Sequence, residues 1–413
     1  MMIKTKTKTK TKTKTKTRHG MTYTTRSARV HARTMGVSAA IGALVAGGLL
    51  APVPANAAMA PAAHAPGGEA GRVAVVARHL DNPRGLAFGP QGELYIAEAG
   101  HGGTLCLGDG PEGPQCAGLT SGLSRLSEGR LHKVVDHLVS VASPDGTGAE
   151  GLVGVSTQGN RIYGQMAANT HHIPPAAPAG PVINAARAQL GQTLAITGRG
   201  SWSALASTGD TNYAWTNDHK DLQPDQFPDA NPNGLATRGR THYVVDAGAN
   251  LIAKVDSRGH VSTLAYLPVP DGSVTDAVPT CVATARDGSL YVGELLGGAY
   301  APGNARVWRI SDGKATVKWT GFTGIQGCGF DDRGNFYATE FQANGMFGPD
   351  PAGAVIKVAP NGVRTTLGAG KLSFPSGFAY HDGAVYVSNW SIMPGEAPKS
   401  GDPTGEVVKI SLR

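Results

Sequence analysis

A segment of about eighteen residues recurs six times along this chain, and the recurrence restricts the fold more than any single residue does. The copies are residues 82–100 (NPRGLAFGPQGELYIAEAG), 150–167 (EGLVGVSTQGNRIYGQMA), 231–248 (NPNGLATRGRTHYVVDAG), 278–295 (VPTCVATARDGSLYVGEL), 324–341 (GIQGCGFDDRGNFYATEF) and 374–390 (FPSGFAYHDGAVYVSNW). Each reads as a short apolar strand opened by a Pro-x-Gly-like turn, a Gly-bearing turn, then a second strand ending on a polar residue. A following pair, such as residues 251–255 and 260–264, brings the count to four strands per repeat. Radial repetition of four-stranded sheets builds β-propellers, so the sequence predicts an all-β fold of six four-stranded blades.

The last four copies start about 47 residues apart, a normal length for one blade, while the first two intervals are longer and must carry insertions. The chain ends on EVVKISL, residues 406–412, which matches a third strand. Its missing fourth strand is supplied by RVAVVARHL, residues 72–80, so the last blade is shared between the two ends and no edge is left open.

Residues 4–17 are seven Lys-Thr pairs with no apolar surface to bury, and read as a disordered tail or an upstream extension from a wrongly chosen start codon. Arg26, Arg29 and Arg33 then form a basic n-region, residues 36–51 a small-residue apolar stretch, and Ala55-Asn56-Ala57 an A-x-A cleavage site. The apolar run is short and broken by glycines, so a cleaved export signal is preferred to a permanent membrane span. Residues 1–57 are expected to leave as tail and signal peptide, residues 58–71 to form a flexible lead, and residues 72–413 to form the propeller. Removing residues 1–57 takes 11 of the 37 Lys and Arg and no acid, leaving 26 basic against 30 acidic residues, a net charge of about −4. Nucleic-acid binding thereby loses its only support.

Four cysteines in an exported chain suggest two disulfides. Cys106 and Cys116 share one Gly/Pro-rich loop and are close enough in sequence to cross-link it. Cys281 and Cys328 fall near the starts of the first strands of blades four and five, where either a bridge near the axis or two strands too far apart would fit. No C-x-x-C spacing points to zinc.

The long insertion, residues 169–230, opens Pro/Ala-rich, is expected to hold a short helix around residues 184–190, and returns to strand-like text at 193–205. Long loops also follow the second strands of blades one, five and six, at residues 101–120, 342–353 and 391–405. In a four-stranded blade the connection after the second strand emerges where the first strand begins. All these loops are therefore expected on one face, and loops on a rigid scaffold are the usual binding elements.

Two polar rings follow from the alignment of the copies. The second strands end at Glu98, Gln165, Asp246, Glu294, Glu340 and Asn389, which at equivalent points around the axis would crowd four carboxylates. Crowded carboxylates raise one another's pKa or recruit a cation. The preferred reading is plainer: each side chain accepts hydrogen bonds from loop amides beside it. The residues between Pro and Gly at each strand start are Arg84, Glu150, Asn233, Thr280, Gln326 and Ser376, placed to line the mouth of a channel. Arg84 and Glu150 lie on neighbouring blades, and a structural ion pair is the preferred role, since isolated charges near a low-dielectric core are costly. His101, His171 and His172 could meet as loop metal ligands, and Asp218, Asp221, Asp225 and Asp229 form an acidic run, but solvated loops are favoured for both. No G-x-S-x-G elbow, Walker A loop or G-x-G-x-x-G after a strand is present, so serine hydrolysis and nucleotide chemistry lack support.

The first copy, the stretch TNDHKDLQPDQFPDANPNGLA followed by HYVVDAGANLI, and the closing FPSGFAYHDGAVYVSNW together resemble the ScyD/ScyE family of secreted bacterial proteins. That family is similar to NHL and TolB-like six-bladed propellers, and the resemblance implies a fold and a compartment more than a reaction. VVDAGANLI looks like the Asp/Asn structural turn of NHL repeats, which implies a structural role for Asp246. The gluconolactonase family shares the architecture and holds a divalent metal at the channel mouth. Asn233-Gly234-Leu235 matches one of its turns and Glu150 could assist, but its Pro-Asp-Gly aspartate is replaced by Thr280. Quinone-dependent sugar dehydrogenases need a basic pocket with a general-base histidine, and the acidic ring argues against one. Strictosidine synthase-like enzymes use a glutamate on the same face, for which Glu294 and Glu340 are the candidates.

The sequence thus leads to an exported, non-catalytic, monomeric propeller that binds a small molecule or extracellular partner through its loop-rich face. Arg84, Glu98, Glu150, Asn233, Glu294 and Glu340 are the expected binding residues. The alternative is a metal-assisted hydrolase with Glu98, Glu150, Asn233, Glu294 and Glu340 around Ca²⁺ or another divalent ion; no other cofactor is implied.

Overall fold

A computed structural model describes residues 71–110, 113–269, 275–298 and 300–412. The expected signal segment lies outside the described residues. Among them, no helix is long and apolar enough to cross a membrane.

Six antiparallel sheets follow one another as blades around an axis. Strand β1 (Val73–Leu80) precedes blade one, which comprises β2 (Pro83–Phe88), β3 (Leu94–Glu98), β4 (Leu105–Gly110), β5 (Gly113–Ser127) and β6 (Arg130–Ala142). Blade two has β7 (Leu152–Gln158), β8 (Arg161–Met166), β9 (Gln192–Ile196) and β10 (Trp202–Ser207), with helix α1 (Pro181–Gln189) between β8 and β9. Helix α2 (Thr208–Asp218) leads to blade three: β11 (Pro232–Arg238), β12 (Thr241–Asp246), β13 (Leu251–Val255) and β14 (Val261–Tyr266). Blade four is β15 (Pro279–Thr284), β16 (Leu290–Glu294), β17 (Ala305–Ser311) and β18 (Lys314–Phe322). Blade five is β19 (Ile325–Phe330), β20 (Phe336–Glu340), β21 (Ala352–Val358) and β22 (Arg364–Ser373). Blade six has β23 (Phe378–His381), β24 (Ala384–Asn389) and β25 (Gly405–Ser411), and β1 completes it in the order β1-β25-β24-β23. The ring is closed as the sequence predicts, because β1 pairs antiparallel with β25 from Val73↔Ile410 to Leu80↔Gly405.

The second strands β3, β16 and β20 are buried along their whole length, because blades stack face to face and cover both sides of each inner strand. Outer strands such as β18 are mostly exposed or half-buried. The hydrophobic core is accordingly divided among the blade interfaces. Val245, Ile252, Val292 and Ile310 pack between blades three and four, and Val355, Val385, Val387 and Val408 between five and six. Removing these apolar faces from water is the main force holding neighbouring blades together.

Of the long connections, residues 101–120 differ from the loop expected there, whereas the short helix and strand-like text expected within residues 169–230 are present. The stretch at 101–120 contains a β-ribbon in which β4 pairs with the first half of β5, and Cys106 faces Cys116 across it in a disulfide. The 169–230 insertion holds the two outer strands of blade two as well as α1 and α2. The second disulfide joins Cys281 and Cys328 on the first strands of blades four and five, with Cα atoms 5.7 Å apart.

In every blade a backbone amide just after the second strand donates to a carbonyl at the start of the first. The bonds are Ala99 to Asn82, Ala167 to Gly151, Ala247 to Asn231, Leu295 to Val278, Phe341 to Gly324 and Ser391 to Phe374. This sixfold pattern places the first-strand starts and the long loops on one face.

Candidate functional site

The innermost strands converge because of their glycines. A Cβ on Gly234 would lie 2.6 Å from the Thr280 carbonyl oxygen, and one on Gly154 would lie 2.8 Å from that of Asn233. Cβ atoms on Gly327 and Gly377 would overlap the carbonyl oxygens of Ser376 and Arg84. Each such glycine is thus pressed against the residue preceding the equivalent position in the next blade, a glycine except in blade four, where it is Cys281. Hydroxyl bonds reinforce the annulus: Thr280 Oγ1 donates to Ile325 O (2.5 Å), Thr339 Oγ1 to Ser376 O (2.7 Å) and Ser388 Oγ to Arg84 O (2.7 Å).

This packing also corrects the alignment of blade two. Gly85 of blade one abuts the carbonyl of Val153, and Leu152 pairs with Met166 as Pro83 pairs with Glu98. Leu152-Val153-Gly154 therefore occupies the Pro-x-Gly position. Glu150 stands two residues above it, and Met166, not Gln165, ends the second strand. The segment EGLVG carries two glycines and no proline, and the sequence comparison selected the wrong glycine.

The ring around the axis is therefore Arg84, Val153, Asn233, Thr280, Gln326 and Ser376, and all six line a central cavity of about 110 Å³, with Glu150 also in its wall. Asn231, several glycines and apolar side chains such as Leu86, Leu235 and Val282 complete the lining. Arg84 is 7% exposed, and its Nη2 donates to the carbonyl of Ala149 at 2.9 Å, beside Glu150. Antiparallel bonds to Val141 on β6 fix the Glu150 backbone, and Asn231 Nδ2 donates to its Oε1 at 3.0 Å. Burial pushes the Glu150 carboxyl above its usual pKa, against the opposing attraction of His172, the Asn231 bond and Arg84.

Sequence reasoning left His172 and Asp229 among the solvated loop groups, whereas the structure sets them beside Glu150. His172 Nε2 lies 3.4 Å from Asp229 Oδ1 and 3.3 Å from Asn169 Nδ2. Burial lowers the imidazole pKa, but Asp229 and Glu150 outweigh it and the net shift is upward. A signal was available, since Asp229 lies two residues before Asn231, at the start of blade three. The other loop groups are separate: His101 Nδ1 pairs with Asp81 at 3.1 Å, and His171 stacks on Tyr213 with ring centroids 3.9 Å apart.

The second-strand residues do not meet. Their strands lie one interstrand spacing, about 4.8 Å, farther from the axis than the first strands, which stand between them. Glu98 accepts from Asp81 N (2.9 Å), Lys133 Nζ (2.6 Å) and Ser124 Oγ. Asp246 accepts from Asn231 N (2.6 Å), Ala249 N (2.9 Å) and Asn212 Nδ2 (2.7 Å), and burial raises its pKa to about 6. Glu294 is held by Arg306 Nε (2.8 Å), Arg306 Nη2 (2.7 Å) and Trp308 Nε1 (2.5 Å). Its burial raises the pKa despite those donors. Glu340 accepts from Thr323 N at 2.9 Å, and Asn389 from Ser373 N at 2.7 Å. Gln165 accepts from Thr193 Oγ1 at 2.6 Å.

The expected metal set is therefore dispersed. Glu98, Glu294 and Glu340 are engaged inside separate blades, which leaves Glu150 and Asn233 at the cavity, far short of the six to eight oxygens Ca²⁺ takes. Among the described residues no group of three His, Cys, Asp or Glu side chains is arranged to hold a metal. The donor set does not fit a central cation.

No protein-family model matches this chain, and no curated protein matches it by sequence. Solved structures do. A Thermus thermophilus protein provisionally described as an oxidoreductase (glucose dehydrogenase) superposes with a TM-score of 0.50 at 13% identity, over 82% of this chain and 99% of its own. The chain shares that propeller fold. A gluconolactonase from Xanthomonas campestris aligns with a TM-score of 0.49 at 10% identity, over 83% of this chain and 90% of its own. An inactive variant of virginiamycin B lyase from Staphylococcus aureus gives 0.43 at 12%, over 83% and 99%.

Proposed function

We propose that this protein is an exported propeller of the ScyD/ScyE type that binds a small polar ligand in its central cavity, reached from the loop-rich face. The observation that carries the reading is the convergence of Arg84, Asn233, Thr280, Gln326 and Ser376 on one cavity, with Glu150 at its wall. Small-molecule sites are concave and fix their ligand with a few placed polar groups, and this cavity, whose lining is about as polar as apolar, is built that way. One guanidinium, one carboxyl of raised pKa, two amides and two hydroxyls suit a compact molecule bearing several hydroxyl or amide groups. The two disulfides support an oxidising, extracytoplasmic address, where such bonds persist. A metal-assisted hydrolase would need donors that this cavity does not bring together, and we derive no step through a metal.

The test is calorimetry on protein expressed from the full chain, against a panel of sugars, polyols, sugar lactones and amino acids. A ligand bound by the wild type is expected to lose at least tenfold in affinity in Arg84→Met and in Glu150→Gln, with unfolding midpoints measured alongside. Failure of the whole panel to bind, or wild-type affinity in both variants, overturns the assignment.

A further inference from the structure

A second concavity lies on the opposite face, where the hairpin turns of blades two and three meet. Its volume is about 500 Å³, within the range of sites for drug-sized ligands. Two tight approaches build it. Gly239 N donates to Gln158 Oε1 at 3.2 Å, which sets the turn before β12 beside the turn before β8. Gly259, at φ +82°, is packed against the Leu205 carbonyl of β10, so the β13–β14 turn closes the groove on the outer side.

Three kinds of group line this groove. Arg161 and Arg240 stand exposed on its rims, and neither side chain has a hydrogen-bond or ion-pair partner among the described residues. Trp202, half-buried, and Tyr163 supply aromatic surface, the latter fixed by a ring contact of 4.2 Å with His242. Ser201, Ser203 and Ser257 supply hydroxyls. No carboxylate lines the groove among the described residues. The turns around it carry Arg161, Arg199, Arg238, Arg240 and Arg258 against Asp256 alone, whose carboxylate is taken up by the amides of Arg258 (2.7 Å) and His260 (3.0 Å).

We propose that this groove binds an acidic oligosaccharide. Guanidinium groups recognise carboxylates through paired, planar hydrogen bonds, and an unpartnered pair of them on two adjoining turns is arranged for anionic groups on one ligand. An aromatic wall offers its face to the apolar side of a sugar ring, and serine hydroxyls suit the ring's own hydroxyls. The ligand is short. On the same face the turns of blades four to six mix Asp312 and Asp332 with Arg286, Lys314 and Arg333, and Asp287 is paired with Arg309, so among the described residues no continuous basic track extends the groove for a polyanion such as a nucleic acid.

The test is titration with trigalacturonic acid, neutral galactotriose and a short oligo-aspartate peptide at two salt concentrations. Trigalacturonic acid is expected to bind, more weakly at high salt, and at least tenfold more tightly than either comparison ligand. The double variant Arg161→Gln, Arg240→Gln should lose at least tenfold without a change in unfolding midpoint, since both side chains are exposed. Trp202→Ala should lose binding as well, while Trp202→Phe, which keeps an aromatic face, should retain most of it. The proposal is overturned if trigalacturonic acid does not bind, if oligo-aspartate binds as tightly, or if the double arginine variant binds like the wild type. A ligand of the central cavity should bind the double arginine variant normally, which separates the two sites.

Discussion

Glu340→Gln should stabilise this protein at alkaline pH and destabilise it slightly, by about 1 kcal/mol, near pH 4. The carboxyl ends β20 at 3% exposure and accepts one bond from Thr323 N. Arg364 attracts it from a distance, but that guanidinium is already bonded to the carbonyls of Gly321 (3.1 Å) and Thr320 (2.6 Å). Burial dominates and raises the pKa from 4.5 to about 7. The folded state therefore holds this proton over an interval in which the unfolded chain has released it. The resulting stabilisation is fully present below about pH 4.5 and is lost as pH rises through about 7.

At about 1.4 kcal/mol per pKa unit, the loss amounts to about 3 kcal/mol by pH 8. A glutamine keeps the acceptor for Thr323 N and cannot ionise. Its amide N–H groups need partners in place of the acid's single hydroxyl, so the net gain at pH 8 should be about 2 kcal/mol. With an unfolding entropy of about 2.1 cal/mol/K per residue, that is roughly 3 °C in midpoint for a ring of this size. Scanning calorimetry of both proteins at pH 4 and pH 8 measures it. A gap between variant and wild type that does not widen with pH, or a variant that melts lower at pH 8, would show that the charge is stabilised by something the buried-carboxyl account omits. Cavity ligands should bind Glu340→Gln as they bind the wild type, because the side chain stays within its own blade.

Two further predictions concern the annulus. Gly377→Ala, whose Cβ would overlap the Arg84 carbonyl, should cost about 1 to 3 kcal/mol in denaturant titration, whereas Gly180→Ala, with nothing within 4 Å, should be close to neutral. Cys281→Ser with Cys328→Ser removes a link between residues 47 apart in sequence. Loop-closure entropy puts its loss at about 4 kcal/mol, and wild type and variant, both held in reductant so that Cys106–Cys116 is open in each, should melt together.

Much of the fold was legible because each blade repeats the same physical problem. A strand start beside the axis needs glycine for close approach, a hairpin needs a residue of positive φ such as Gly92 (+81°) or Gly334 (+80°), and both leave a periodic trace in the text. Blade two was harder to read because its strand start lacks proline and its outer strands, though strand-like in the text, lie beyond α1 inside a long insertion. The ribbon of β4 and β5 was hidden for a related reason. Its glycines and prolines read as an irregular loop, while the Cys106–Cys116 bridge and the pairing with β6 hold it as a sheet extension.

The two polar rings show why repeat position alone does not locate a site. Both were inferred from one residue per copy, and in both the residue type favours function, yet only the first-strand ring reaches the axis. Distance from the axis decides the matter. A second-strand carboxylate such as Glu98 or Glu294 is surrounded by donors of its own blade, including the Lys133 and Arg306 cations that offset its burial. Arg84, by contrast, faces the neighbouring blade across the cavity and reaches the Ala149 carbonyl there. The groups available to a ligand in the central cavity are therefore those whose blade cannot satisfy them alone. On that ground Glu150, bonded across the blade boundary to Asn231 and near His172 and Asp229 of the insertion, is the residue whose replacement should alter ligand binding most directly.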